Sequence, residues 1–224
     1  MAPKVNFPND TQHTLILGRT GSGKTQAGIW HLSGKNFERK PWVIFDTKGD
    51  ELIDKIGRME GAKHLKLGEM PGKNGLYIVR PRPDQDVEID EFLWKIHARN
   101  NVGLYFDEGY MVGKSDALNA LLTQGRSKHI PIIILSQRPA WLTRFCFSEA
   151  SFFQVFSLND RRDRQRVQEF ISIDKADIEN RLPEFHSLWY DVKQDHVFTF
   201  APVPPADAIL NEFRARLSPR RVAI

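Results

Sequence analysis

Residues 17–26 read LGRTGSGKTQ. An apolar stretch, HTLIL (13–17), runs into this segment, and a stretch of helical character starting at Lys24 follows it. Gly18-Arg19-Thr20-Gly21-Ser22-Gly23-Lys24-Thr25 satisfies the pattern G-x-x-x-x-G-K-[ST] of a phosphate-binding loop. Glycines let the backbone take positive φ and approach an anion closely. Successive N–H groups then point inward as a nest, backed by the positive end of the following helix. Lys24 is expected to reach the β- and γ-phosphates of ATP, and the Thr25 hydroxyl to ligate Mg²⁺. The alternative is a plain Gly-rich turn. The full pattern, placed between a strand and a helix, favours nucleotide.

Working outward, short apolar runs alternate with amphipathic stretches, the pattern of a mainly parallel sheet flanked by helices. Strands are predicted at 13–17, 42–46, 102–106, 130–135 and 152–157, and helices near 24–32, 51–59, 89–99, 116–124 and 160–171. Residues 187–192 and 196–201 flank a polar turn and read as a β-hairpin, followed by a helix over 206–217 and a basic tail, Arg220-Arg221. Residues 61–82, with scattered Gly, Pro and Lys, give no firm pattern. The expectation is one α/β domain over 1–224, with a core at about 13–171 and the hairpin, helix and tail in 172–224.

Composition fits this reading. The 224 residues are 41% hydrophobic and 27% charged, ordinary values for a globular chain large enough to bury a core. Uninterrupted apolar runs such as Ile132 to Leu135 are too short to span a bilayer. The opening MAPKVNFPND has no charged-then-apolar leader, so no secretory signal is expected. The single cysteine, Cys146, excludes an internal disulfide and fits a reducing compartment; it is expected to fill apolar space beside Phe145 and Phe147. The net charge of +4 suits a polyanionic partner without demanding one.

Two further segments bear chemistry. NVGLYFDEGY is an apolar strand ending in Asp107-Glu108. In phosphate-loop NTPases an acid at such a strand end holds Mg²⁺, and a second acid beside it can act as general base on a water. Adjacent carboxylates repel, so a cation near them explains the pair; the alternative is a helix-capping Asp with a solvated Glu. IIILSQRP places Ser136-Gln137-Arg138 before Pro139 at the C-terminal end of another buried strand, where ligands of open α/β sheets gather. Gln137 can sense a γ-phosphate there or orient a water, or it can simply cap the strand.

The order VIFDTKGD, LYFDEGY, GRSKHIPIIILSQRP, VFSLNDRRD along the chain resembles the FtsK–HerA superfamily of ring-shaped DNA-pumping ATPases. The similarity runs from Thr14 to about Arg164, and within the superfamily it is strongest to genome-packaging ATPases of tailless, membrane-containing double-stranded DNA viruses. The resemblance implies a RecA/FtsK-like fold, with Gly18 to Thr25 as nucleotide loop and Asp107 as the metal-associated acid. Glu108 becomes the catalytic base and Gln137 the γ-phosphate sensor. Asp46-x-Lys48 matches a polar motif whose task is left open. The family also uses an arginine from a neighbouring subunit; Arg126 is the first choice, with Arg138, Arg161 and Arg162 as rivals. A ring of five or six subunits is implied, working on double-stranded DNA without sequence preference, in host cytoplasm and at a virion packaging vertex beside a capsid or membrane protein.

For DNA, backbone contacts from channel-facing loops are expected. The candidates are Lys63, Lys66, Lys73 and Lys114; Arg161 to Arg166 suits a subunit contact as well as DNA. Other function classes are a cellular or plasmid-type DNA translocase, a small-molecule phosphate-loop kinase and a nucleotide-regulated assembly factor. A kinase should carry an arginine-bearing lid and an acceptor pocket, and a binding-only switch has no need of Glu108.

Overall fold

The HTLIL stretch forms β1 (His13–Leu17), paired with a parallel neighbour on each side and buried at every position because both faces of the sheet are covered. Such two-sided burial is why the strand reads as a near-continuous apolar run. The structure is a computed structural model that describes residues 3–112, 115–173, 178 and 182–217. After β1 come α1 (Lys24–Ser33), β2 (Trp42–Phe45), α2 (Glu51–Gly57), β3 (Ala62–His64), β4 (Leu76–Val79) and α3 (Asp86–Arg99). Then follow β5 (Gly103–Phe106), α4 (Asp116–Gln124), β6 (Ile132–Ser136), α5 (Arg144–Ser148), β7 (Ala150–Val155) and α6 (Arg161–Gln168). The chain continues through β8 (Ser187–Asp191) and β9 (His196–Phe200) to α7 (Ala206–Leu217).

The strands make one sheet in the order β3-β4-β2-β5-β6-β1-β7-β8-β9. The pairs from β3 through β7 are parallel, whereas β8 and β9 add to β7 as an antiparallel hairpin. Alternate side chains divide the core. Leu15 and Leu17 face a cluster with Ile89, Phe92, Leu93 and Ile96 of α3 and Leu118 and Leu121 of α4. Ile16 faces the other cluster, with Ile29 of α1, Ile53 of α2 and Phe213 of α7. The α3 residues recur at i, i+3, i+4 and i+7, one face of a helix.

The predicted elements all appear, with ends shifted by a few residues. Two strands that the sequence pattern does not signal, β3 and β4, lie within 61–82, and helix α5 is likewise unsignalled. Cys146 is buried in the α3/α4 cluster with Phe147, as expected, but Phe145 is 41% exposed and does not share that space. Lys114 and the tail Arg220-Arg221 lie outside the described residues. No helix among the described residues is long and apolar enough to cross a membrane.

Candidate nucleotide site

β1, β5 and β6 are adjacent and parallel, so their C-terminal ends open on one edge of the sheet. Residues 18–25, Asp107-Glu108 and Gln137 follow those three strands, and the fold brings them together there. Gly18 N–H donates to the Ser136 carbonyl (3.2 Å) and Arg19 N–H to the Ser157 carbonyl (3.1 Å), which ties the loop to β6 and to the exit of β7. A Cβ at Gly18 would lie 2.7 Å from Cβ of Phe156, so only glycine fits. Gly23 begins α1 at φ 93°, in the left-handed region.

The start of α1 differs from those of α2, α4 and α6. Asp50, Ser115 and Asp160 cap those three helices through their side chains. α1 has no side-chain cap and no acid in its first turn. Its first N–H groups are therefore open to an external acceptor, and the helix dipole favours an anion there.

Lys24 is 6% exposed, and burial pulls its ammonium below the usual lysine range, partly offset by the nearby Glu108 and Asp107 carboxylates. Thr25 Oγ1 donates to Asp107 Oδ1 over 3.3 Å, joining loop to strand end. Burial, and then the Asp50 charge, push the Asp107 carboxyl up to about 6. Glu108 is completely buried and both its oxygens are engaged. Oε1 accepts from the Gln137 backbone N–H at 2.7 Å, and Oε2 accepts from the Lys48 ammonium in an ion pair. The Gln137 side chain is fixed at both ends, accepting from Thr20 Oγ1 (2.5 Å) and donating to the Tyr110 hydroxyl (3.1 Å).

The Asp46-x-Lys48 motif does two jobs. Asp46 Oδ1 accepts from the N–H groups of Gly49 (2.8 Å) and Asp50 (3.0 Å), while Oδ2 accepts from Arg80 Nε (2.8 Å). That clamp sets the turn from which Lys48 reaches Glu108. Arg80 and Tyr110 escaped the sequence reading. Tyr110 stands two residues after Glu108, and Arg80 follows β4, whose recognition would have placed it at the same sheet edge.

The donor set suits Mg²⁺. Thr25 Oγ1 and the Asp107 carboxylate are hard oxygens, and Mg²⁺ is ordinarily held by one or two carboxylates plus waters and phosphates. Among the described residues no three His, Cys, Asp or Glu side chains are arranged as a full protein cage. A cation beside Asp107 would also offset the burial and the neighbouring negative charge that raise its pKa.

The arginines separate clearly. Arg126 precedes β6, and its Nη2 donates to the Glu149 carbonyl (3.1 Å) and Ser151 Oγ (2.9 Å), where β7 begins. It is therefore at the opposite ends of the strands from residues 18–25. Arg138 stays at its own loop edge, with its guanidinium 4.7 Å over the Trp141 ring and beside Asp160 and Asp163. Arg161 and Arg162 are exposed on the first turn of α6. Lys63 on β3 and Lys66 and Lys73 beyond it are exposed, with β3 five strands from β1.

No family profile matches the chain. A relative does: the DNA packaging ATPase P9 of Enterobacteria phage PRD1 is 52% identical over 218 residues, covering 93% of this chain and 95% of the relative. The chain belongs to the P9 family of DNA packaging ATPases. Solved structures agree on the fold. The genome packaging NTPase B204 of Sulfolobus turreted icosahedral virus 2, in complex with AMPPCP, superposes with a TM-score of 0.71 at 20% identity, covering 88% of this chain and all of that one. The cytoplasmic domain of the type VII secretion ATPase EccC from Thermomonospora curvata gives 0.61 at 14% identity, covering 87% of this chain and 24% of that one. This P9-family member thus has the fold of the phosphate-loop ATPases, a mostly parallel sheet flanked by helices and ending in an antiparallel hairpin.

Proposed function

We propose that this P9-family chain is a Mg²⁺-dependent ATPase that works as one domain, associates into a ring of five or six subunits and drives double-stranded DNA into a preformed capsid. The observation that carries the reading is the meeting of Lys24, Thr25, Asp107, Glu108 and Gln137 at the end of an uncapped helix, in a chain half identical to a DNA packaging ATPase.

The N–H groups of residues 18–25 and the Lys24 ammonium bind the phosphates of ATP, with the lysine largely stripped of water and so strongly attractive to anions. Thr25 Oγ1 and the Asp107 carboxylate would hold Mg²⁺, which would supply positive charge to neutralise the phosphates. Glu108, ion-paired with Lys48 and oriented by the Gln137 N–H, takes the proton from the attacking water. Gln137, clamped between Thr20 and Tyr110, touches the γ-phosphate side and carries its presence or loss to both neighbours. Arg126 serves the nucleotide of an adjacent subunit. Its place at the N-terminal ends of the strands keeps it away from residues 18–25 of its own chain, so a catalytic role for it is in trans. Hydrolysis then proceeds only when an interface closes, which couples chemistry to subunit movement.

Outward-facing lysines, with Lys63, Lys66 and Lys73 the described candidates, contact the phosphate backbone of the duplex. The motor acts in host cytoplasm and at the packaging vertex of the virion, docked on a capsid or membrane protein. A kinase is not favoured, since Glu108 and Gln137 suit water as the acceptor. The test is phosphate release with and without long duplex DNA. Stimulation by DNA is expected; phosphate transfer to a nucleoside with no response to DNA would refute the motor.

A further inference from the structure

Phe185 occupies a position that local sequence preference argues against. The His186 N–H donates to the Pro183 carbonyl at 3.0 Å, closing a four-residue turn in which Phe185 is the third residue. Its φ is 59°. Positive φ at the third position of such a turn is the place glycine takes at least cost. A bulky side chain held there is strained, and strain of this kind clusters at functional sites. Burial does not explain the choice, because Phe185 is 46% exposed.

The location of the ring does. A Cβ at Gly23 would stand 3.2 Å from Cδ1 of Phe185, so the ring lies against the backbone of the phosphate loop. The two flank a cavity of about 260 Å³ lined by Arg19, Gly21, Ser22, Phe156 and the turn 182–186. Ser22 Oγ, in a residue 7% exposed, has no hydrogen-bond partner among the described residues.

Direction follows from the sheet order. Asp107, Glu108 and Gln137 follow β5 and β6, on one side of β1, and under the proposed function they lie where the terminal phosphate is cut. The nucleoside end of a triphosphate held by the loop must leave the other way, toward β7 and β8. The cavity lies there, since Phe156 follows β7 and Phe185 precedes β8.

We infer that Phe185 is the stacking platform for the nucleobase of the bound nucleoside triphosphate, in a seat formed by the turn 182–186 and the outer wall of the phosphate loop. The inference rests on the reading of residues 18–25 as the triphosphate loop. An aromatic face gives a base affinity without demanding a particular hydrogen-bonding edge.

The experiment compares ATP with inorganic tripolyphosphate, which has no base, by calorimetric titration of the full chain with Mg²⁺ present. Phe185→Ala should weaken ATP about tenfold and leave tripolyphosphate unchanged. Phe185→Tyr, which keeps the ring face, should retain native ATP affinity. Phe185→Leu keeps apolar bulk without the π face and provides the same comparison if the alanine protein does not fold. Unchanged ATP affinity in Phe185→Ala or Phe185→Leu, or equal loss of both ligands, overturns the seat. A native protein that binds neither ligand overturns the loop reading itself, which is a separate outcome.

Discussion

Two clusters of polar side chains flank β1, and they are built on opposite rules. The candidate nucleotide site gathers buried Lys24, Asp46, Asp107 and Glu108 with half-buried Asp50 and exposed Lys48, charged groups only partly neutralised by one another. The second cluster joins α1 to the hairpin side of the sheet through neutral groups. His31 Nε2 donates to Gln154 Oε1 (2.9 Å), Gln154 Nε2 donates to Ser187 Oγ (2.9 Å), and the His31 ring stacks on Trp189 at 5.0 Å between centroids. Burial depresses the His31 imidazole to about 4, so it is neutral at pH 7. A satisfied neutral network stabilises packing. Partly uncompensated charge is instead a standing cost, kept where a ligand completes it.

The largest expected contrast comes from Lys24→Ala. It should lower turnover by about 10³-fold or more, because a charge on the transferring phosphoryl is lost. It should leave the thermal midpoint nearly unchanged, since the ammonium it removes is already held at a desolvation cost. A large drop in midpoint would erase the distinction between the clusters. Arg126→Ala should also abolish turnover, yet mixing it with Glu108→Gln protein should restore part of the activity, because one interface then contains both groups. Phosphate release across mixing ratios checks this; no recovery at any ratio removes Arg126 from the trans role.

Gln154→Leu inverts the pattern. It should cost about 1–3 kcal/mol of stability by orphaning His31 and Ser187, measured by denaturant unfolding, while the turnover number stays native. The last contrast is set by pH. His31 and His13 both titrate near 4 in the folded protein against 6.5 for the free side chain, chiefly through burial. Near His13 the Arg126 charge lowers the value further and a hydrogen bond with the Leu122 carbonyl raises it; near His31, Lys35 lowers it and Gln154 raises it. The unfolded chain therefore takes up protons first as pH falls. Their contribution is complete above about 6.5 and is lost between there and about 4. Thermal midpoints should fall over that window, and less steeply in His31→Gln protein.

The elements nearest the nucleotide site were the most legible. β1, β5 and β6 are apolar runs ending in loops whose glycines, acids or proline mark the turn, and two-sided burial leaves little ambiguity. β3 and β4 were missed because three and four residues among Gly, Pro and Lys carry too little period, and α5 because five residues complete barely more than one turn. The loop, Asp107-Glu108 and Gln137 were visible as local motifs. Lys48 on Glu108, Arg80 on Asp46 and Phe185 against Gly23 were not, since those contacts join residues 60, 34 and 162 apart and exist only once the sheet order is set.

Glu108→Gln gives the most direct test. Gln is nearly isosteric, and its side-chain oxygen can still accept from the Gln137 N–H, but it cannot take a proton. ATP binding and phosphate release should be measured on the same preparation. Native-like ATP affinity with release reduced by about 10²–10⁴-fold is the predicted result; native release rates in that protein would contradict the assignment of this sheet edge as the site where ATP is cut.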